Sequence, residues 1–303
     1  MTDFGRWVAV AGAAIAAAAA LALIYVYLAS EADIVQRFTL PSSILHAELT
    51  PQAAARGNHL ATIFGCKDCH GADLRGRMLW PRRGFSIFAT NLRAFAKTAS
   101  DEDFDRAVRR GLTPDARAVW IMPADSYVYM RNDDLAAIIA YIRSKPSEDA
   151  PDSEPQFGFG ARVAILSCKL QPVSPYTLGM DTPLGVGPRW DGGRYLAAIG
   201  CSQCHGSDLT GDGKIPDLAT AANYSRSAFF HLMHGGNEKN GRLTAMSAVA
   251  GARFSAMHDY ETDALYDYLI ERARVLKTSP PPPQAEVPIM KTACPPAHKK
   301  PPN

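Results

Sequence analysis

The sequence lacks a strong excess of charge of either sign. Its 32 Lys and Arg residues against 30 Asp and Glu residues give a formal net charge of +2 over 303 residues. The basic residues are scattered, so the charge pattern does not favour a nucleic-acid-binding protein. Cysteine is also scarce: six are present, and four of them stand in two copies of one short motif. The residue spacing supports no nucleophile–base pair and no phosphate-binding loop.

Charged side chains are missing altogether from residues 7–29, a run of 23 positions. About 20 apolar residues suffice to cross a bilayer as a helix. A cleaved signal peptide usually has a shorter apolar region of about 7–15 residues, although Ala18 and Ala20 offer an internal cleavage motif. We therefore predict a transmembrane anchor (or uncleaved signal) over residues 1–30, followed by a linker over 31–45. Arg6 favours a cytoplasmic N-terminus, which would export the remainder of the chain.

A twelve-residue motif occurs twice, as GCKDCHGADLRG at 65–76 and as GCSQCHGSDLTG at 200–211. A CxxCH sequence is typical of covalent attachment of c-type haem, with two thioether-forming thiols and an adjacent iron-ligating imidazole. Neither a redox dithiol nor half of a zinc site would explain both histidines and the repeated GxDLxG. The motifs therefore predict two covalently attached haem c groups, held by Cys66, Cys69, Cys201 and Cys204 and ligated by His70 and His205.

The similarity between the two copies extends beyond the motifs. Upstream, GNHLATIFGC parallels GRYLAAIGC, and each reads as a helix ending at glycine. Downstream, each copy continues with a helix closed by glycine (100–111 and 224–236) and finishes with an amphipathic helix (131–144 and 259–273). The repeat predicts an all-α fold with two haem domains in tandem. We expect domain 1 at 46–146, an interdomain linker at 147–188, domain 2 at 189–275 and a Pro-rich tail at 276–303.

The sixth iron ligand of domain 1 is expected to be Met122, in the loop IMPADSY between two predicted helices. The following proline stiffens that loop, and a thioether is the usual partner of histidine in electron-transfer haems. Met78 lies too close to the motif in sequence, and Met130 borders the last helix and is better explained as core.

Domain 2 offers more alternatives for the sixth ligand. Met246 occupies the segment equivalent to Met122 and is our first choice. Its chief rival is His234, which would give a bis-histidine haem. The remaining candidates are Met233, Met257 and His231.

A proline stands 11 residues after each motif histidine, at Pro81 and Pro216. A proline carbonyl at that position would accept a hydrogen bond from histidine Nδ1–H and orient the ring. An ordinary loop proline is an equally good explanation of Pro81.

The strings GCKDCHGADLRG, DEDFDRAVRRG, MPADSY and NDDLAAIIAYIRS resemble class I cytochrome c domains, in particular those of the multihaem cytochrome subunits of membrane-bound alcohol and gluconate dehydrogenases. The second copy is similar to another domain of this superfamily. The resemblance implies electron transfer with His/Met ligation, pairing His70 with Met122 and His205 with Met246. Those subunits carry three haems, whereas this chain has two motifs.

Together these features predict a membrane-anchored periplasmic dihaem cytochrome at the inner membrane, which is an electron-transfer protein and not itself an enzyme. Its expected partners are redox proteins, with electrons passing from a dehydrogenase or quinol-oxidising complex to a terminal acceptor. The alternative is a haem enzyme, such as a dihaem peroxidase or thiosulfate dehydrogenase, with an open-site haem in domain 2. A third possibility is an obligate subunit of a larger oxidase or dehydrogenase complex.

Cys168 and Cys294 remain outside the two motifs. Because exported compartments are oxidising, a disulfide between them is one expectation. The other is a buried Cys168 and a free thiol at Cys294.

Overall fold

The computed structural model describes residues 3–39, 42–82, 84–147, 149, 154–172, 182–235 and 245–278. The described chain is predominantly helical, as expected, with a small three-stranded sheet. Its helices are α1 (Asp3–Ile34), α2 (Pro51–Ile63), α3 (Cys66–His70), α4 (Leu92–Phe95), α5 (Asp101–Arg110), α6 (Ala124–Tyr127), α7 (Asn132–Arg143), α8 (Phe159–Leu166), α9 (Asp191–Leu196), α10 (Ser202–His205), α11 (Arg226–Met233), α12 (Ala245–Ala252) and α13 (Asp259–Thr278). The strands are β1 (Arg77–Arg82), β2 (Phe85–Ala89) and β3 (Gln156–Phe157).

Helix α1 contains the charge-free stretch and is 32 residues long. Its most apolar window has a mean hydropathy of 2.3 and no buried residue, so it is long and apolar enough to cross a membrane. A signal sequence near an N-terminus meets the same criterion.

The first repeat is built on the crossing of α2 and α7. Thr50 Oγ1 accepts a hydrogen bond from Ala53 N at 3.1 Å, and Pro51 opens α2 at a position where no backbone N–H is needed. At the crossing, a Cβ added to Gly57 would lie 1.8 Å from the carbonyl oxygen of Ala137. Only glycine permits this approach between the two backbones.

The second repeat has the same crossing between α9 and α13. A Cβ added to Gly193 would lie 2.0 Å from the carbonyl oxygen of Ala264. The aligned tyrosines of the closing helices, Tyr141 and Tyr268, are 5% and 0% exposed. The two repeats therefore share a tertiary contact as well as a sequence motif.

Helix α5 shows why the segment after the first motif is helical. The side chain of Ser100 accepts from the backbone N–H of Asp103, and Asp103 accepts from the backbone N–H of Ser100. This reciprocal capping box satisfies two otherwise unpaired donors. Gly111, in the left-handed conformation at φ 63°, ends the helix.

The sheet is a feature that the helical pattern did not predict. Strands β1 and β2 form an antiparallel hairpin, and β3 pairs with β2. Gly84, at φ 84°, lies in the turn of the hairpin. Ile87 on β2 is buried against Trp120 and Ile165, which fixes the hairpin to the first repeat.

The segment expected to be an interdomain linker contains both β3 and α8. Arg162 of α8 donates to Glu31 Oε2 at 2.7 Å and to Ser30 Oγ at 2.9 Å, and its guanidinium lies 4.1 Å from the ring centroid of Tyr27. These contacts dock α8 on the C-terminal end of α1. Cys168 follows α8 and is disulfide-bonded. Its predicted partner, Cys294, lies outside the described residues, so their pairing stays a prediction.

Candidate functional site

The first CxxCH motif forms the short helix α3. Gly65, which precedes α3, has the left-handed conformation at φ 81°. It therefore separates α3 from α2, which ends at Ile63. Within α3, the i, i+3 spacing places Cys66 and Cys69 on one face, and His70 follows directly. His70 Nδ1 lies 2.8 Å from the carbonyl oxygen of Thr90.

In the second copy, no left-handed glycine separates the first helix from the motif helix. Nine positions separate Gly57 from Cys66, whereas eight separate Gly193 from Cys201. The second copy is thus one residue shorter here, and its chain forms a π turn over Ala197–Cys201 that continues directly into α10. The expectation that both helices end at glycine is therefore correct for the first copy and wrong for the second.

His205, at the end of α10, has the counterpart of the His70 hydrogen bond. Its Nδ1 lies 2.8 Å from the carbonyl oxygen of Pro216, as the sequence predicted. The ring is buried, at 8% exposure for the whole residue.

These two hydrogen bonds determine the tautomer of both imidazoles. A backbone carbonyl can only accept, so Nδ1 carries a hydrogen in each ring, and the lone pair of the neutral imidazole is then on Nε2. Burial lowers the pKa of His70, against the opposing effect of its bond to Thr90 O, and so favours the neutral ring. In its neutral form, each motif histidine presents Nε2 as the nitrogen that can ligate iron.

The acceptor of the first histidine is Thr90 and not Pro81, which corrects the sequence interpretation. Pro81 lies in β1. Fourteen positions separate Gly76 from Thr90, whereas five separate Gly211 from Pro216. The hairpin makes this segment nine residues longer in the first copy, so Pro81 and Pro216 do not occupy equivalent positions.

The loop between the motif helix and this carbonyl is the same in both copies. Leu74 and Leu209 both have φ 64°, in the left-handed region that leucine rarely adopts. Gly76 N donates to His70 O, and Gly211 N donates to His205 O, each at 2.8 Å. The repeated GxDLxG thus encodes a backbone loop whose last glycine donates a hydrogen bond to the carbonyl oxygen of the motif histidine.

All four motif cysteines are free thiols in this structure. Burial raises the pKa of the Cys66 thiol to about 12, and that of the Cys201 thiol likewise to about 12. Both are therefore protonated at neutral pH. Thioether formation adds S–H across a vinyl group, so the donor set of each motif fits a covalently bound porphyrin.

The two preferred methionines are both partly buried against the main core. Met122 lies in the segment between α5 and α6, as expected. Met246 lies in the first turn of α12 and not in a loop. The described chain begins again only one residue earlier, after the undescribed residues 236–244.

The competing ligands have other environments. Met130, Met233 and Met257 are buried core residues, and Met78 is 47% exposed. His231 is exposed. The ring of His234 stacks on Phe230, and its Nε2 lies 3.4 Å from Thr262 Oγ1.

Sequence reasoning missed Arg253, which bonds the two motifs to each other. Its Nε donates to Asp68 Oδ2, and its Nη1 donates to Gln203 Oε1 at 3.0 Å. The Asp68 contact raises the pKa of Arg253 despite the opposing effect of burial. Arg253 lies far from both motifs in the sequence, and no local sequence pattern indicates that it contacts them.

Further contacts hold α10 against the first repeat. Gln203 Nε2 donates to the carbonyl oxygen of Phe64 at 3.3 Å, and Tyr127 OH donates to the same oxygen at 2.8 Å. Ser202 Oγ donates to Ser126 Oγ at 2.8 Å. The structure thus brings the two motifs into one interface, a relationship that their separation of 135 positions did not predict.

Arg272 is a second residue that the sequence did not reveal. It is 1% exposed, and its guanidinium donates to Asp217 Oδ1 and to the carbonyl oxygen of Asp208, both at 2.9 Å. Asp217 follows Pro216, so Arg272 positions the loop whose carbonyl orients His205.

Comparison with known proteins identifies two relatives. The fructose dehydrogenase cytochrome subunit of Gluconobacter japonicus is 27% identical over 183 residues, which are 52% of this chain and 36% of that protein. A diheme cytochrome c-type protein of Cereibacter sphaeroides is 28% identical over 180 residues, which are 53% of this chain and 59% of that protein.

The chain therefore spans about a third and about three fifths of the lengths of these relatives. No protein-family model matches it. The paired CxxCH helices, their carbonyl-bonded histidines and these two relatives lead to one conclusion: the chain resembles a diheme c-type cytochrome and the cytochrome subunit of a dehydrogenase.

Proposed function

We propose that this protein is a membrane-anchored dihaem c-type cytochrome that carries electrons on the periplasmic side of the inner membrane. The observation that carries the proposal is the pair of equivalent hydrogen bonds from His70 and His205 to backbone carbonyls. Both bonds lie at the same point of the two copies, and a neutral ring held through Nδ1 has Nε2 as the nitrogen that can ligate iron.

In this proposal, the residues that hold the two haems are Cys66, Cys69, His70 and Met122 in the first repeat, with Cys201, Cys204, His205 and Met246 in the second. A bound c-type haem supplies one-electron transfer between its ferric and ferrous states. The thioethers would keep it attached, and the carbonyl bonds at Nδ1 would orient each imidazole. Filling of the sixth position by methionine would exclude substrate and favour the reduced state.

The interface between the motifs supports transfer from one haem to the other. Gln203 of the second motif contacts Phe64, which directly precedes the first motif, and Arg253 contacts both motifs. These contacts hold the attachment helices together through buried or half-buried groups. The two haems would therefore form one short electron-transfer path.

We propose a dehydrogenase or quinol-oxidising complex as the electron donor and a terminal acceptor downstream. The relative from Gluconobacter japonicus is named as a cytochrome subunit of fructose dehydrogenase. Helix α1 would keep the haem-carrying repeats at the membrane surface, which raises their effective concentration near membrane-bound partners.

A spectroscopic and electrochemical experiment tests the proposal. The full-length protein, expressed with a haem-attachment system, should contain two haems per chain and titrate in two one-electron steps. The oxidised form should show the long-wavelength charge-transfer band of methionine-ligated haem, and the reduced form should not bind carbon monoxide. Rapid carbon monoxide binding at one haem of the unmodified protein would instead favour the haem-enzyme alternative, with an open site in the second repeat.

A further inference from the structure

A cluster of two histidines and one glutamate lies away from both motifs, where α2 meets the start of α13. His59, His258 and Glu261 each offer one ligand atom, and these atoms lie within 4.8 Å of one another. His59 belongs to the first repeat, whereas His258 and Glu261 belong to the second. We propose that this cluster is a divalent-cation site, of the type that takes zinc, and that it joins the two repeats.

The donor set is the first argument. Two imidazoles and one carboxylate form a ligand set that suits Zn²⁺ and neighbouring transition metals. His59 Nε2 lies 3.0 Å from both carboxylate oxygens of Glu261. A proton between an imidazole and a carboxylate occupies the position that a bound cation would take.

Burial is the second argument. The side chains of His59 and Glu261 are only 20% and 10% exposed, so two of the three ligands are already held in place. Glu261 Oε2 also accepts a hydrogen bond from the backbone N–H of His258 at 2.8 Å, which orients the carboxylate. A carboxylate so enclosed gains more from a cation than one in open solvent.

The third ligand is the one that would move. His258 is exposed, and its ring stacks on that of His59 with 4.5 Å between centroids and an interplanar angle of 18°. Tetrahedral zinc with ligands at about 2.0–2.2 Å needs ligand atoms about 3.4 Å apart. The ligand atoms of the cluster lie within 4.8 Å of one another. We infer that rotation of the exposed His258 side chain brings its ring nitrogen to the shorter spacing without moving the backbone. A water molecule would complete the coordination on the open side.

The position of the cluster gives the cation a structural role. His59 lies in α2, seven residues before Cys66, and Glu261 lies in the first turn of α13, the helix that closes the second repeat. A cation bound by residues of both repeats would fix their relative placement. This role does not depend on the proposed haem function, because none of the three side chains belongs to a CxxCH motif.

Zinc binding to the detergent-solubilised full-length protein, after treatment with EDTA, tests the site. The protein is titrated with zinc chloride by calorimetry, and zinc retained after dialysis is counted per chain by elemental analysis. We expect one zinc ion per chain. Glu261→Gln keeps the size and hydrogen-bonding capacity of the side chain but removes its charge, and His258→Ala removes the exposed ligand. Each should weaken binding by about tenfold or more.

His231→Ala is the matched control, since His231 is an exposed histidine of the second repeat outside the cluster. It should bind zinc like the parent. Zinc should also raise the thermal midpoint of the parent and of His231→Ala, but not that of Glu261→Gln. The proposal is overturned if the parent retains no zinc, or if Glu261→Gln and His258→Ala bind zinc as tightly as the parent. Zinc is counted per chain and not per haem. A chain that contains no haem iron would therefore contradict the proposed function, but the zinc titration would still test the cation site.

Discussion

Asp68 and Gln203 occupy the same position in the two CxxCH motifs, and one guanidinium, that of Arg253, donates to both. The bridge is partly shielded from solvent: the side chain of Arg253 is 13% exposed and that of Asp68 is 32% exposed. Because the equivalent residues of a repeated motif meet at a single side chain, the two copies face each other in the fold.

Replacement of Arg253 by methionine should destabilise the protein. The change keeps apolar bulk but leaves the half-buried Asp68 carboxylate without its charged partner, at a cost of about 1–3 kcal/mol. Chemical denaturation followed by circular dichroism measures the loss. Lys97→Met is the control, because Lys97 pairs with Asp149 at the surface, where the two side chains are 52% and 90% exposed, and it should leave the midpoint unchanged. Equal effects of the two substitutions would contradict a special role for Arg253.

Joint replacement of Cys66 and Cys69 by alanine should halve the covalently bound haem per chain, as measured by the pyridine haemochrome assay. The same change at Cys201 and Cys204 should also halve it. Each motif has its own pair of free thiols and its own carbonyl-bonded histidine, so the two losses should be independent. An unchanged haem content in either variant would refute the assignment of that motif.

Met122→Ala should open the sixth position of the first haem, lower its reduction potential and allow carbon monoxide to bind the reduced form. Met78→Ala is the control, since Met78 is 47% exposed, and it should leave the spectrum and the potential unchanged. Retention of methionine ligation in Met122→Ala would transfer the role to another residue of the first repeat.

Met246→Ala should have the same effect on the second haem. The comparison variant here is His234→Ala, because His234 is the chief rival ligand. If His234→Ala disrupts the second haem while Met246→Ala leaves it intact, the bis-histidine alternative replaces the His/Met assignment.

Gly193→Ala should destabilise the second repeat. The added methyl group would lie 2.0 Å from the backbone oxygen of Ala264, so α9 and α13 must separate. We expect a net loss of about 2 kcal/mol or more in the free energy of unfolding. The neighbouring Gly192 is also in α9, but a Cβ there meets nothing within 4 Å. Gly192→Ala should stabilise by about 0.5–1 kcal/mol through helix propensity alone. A similar response at the two adjacent glycines would argue against the close crossing.

The sequence by itself determined the features that depend on local spacing. The CxxCH pattern located the candidate haem ligands, because two thiols and an imidazole must stand at fixed positions on one short helix. The start of α5 is also a local feature, because the capping box of Ser100 and Asp103 involves only residues three apart. The hydrogen bond from His205 to Pro216 was also predictable, since an uninterrupted loop connects them.

Tertiary structure decided whatever depends on residues distant in the chain. The acceptor of His70 is Thr90, because the inserted hairpin lies between the motif and the carbonyl that reaches it. Arg253 meets Asp68 across 185 positions, and no periodicity or motif records such a contact. The meeting of His59 with Glu261 likewise follows from how the two repeats pack. Local patterns fix which backbone each segment adopts, whereas packing of the repeats against each other fixes which side chains share a site.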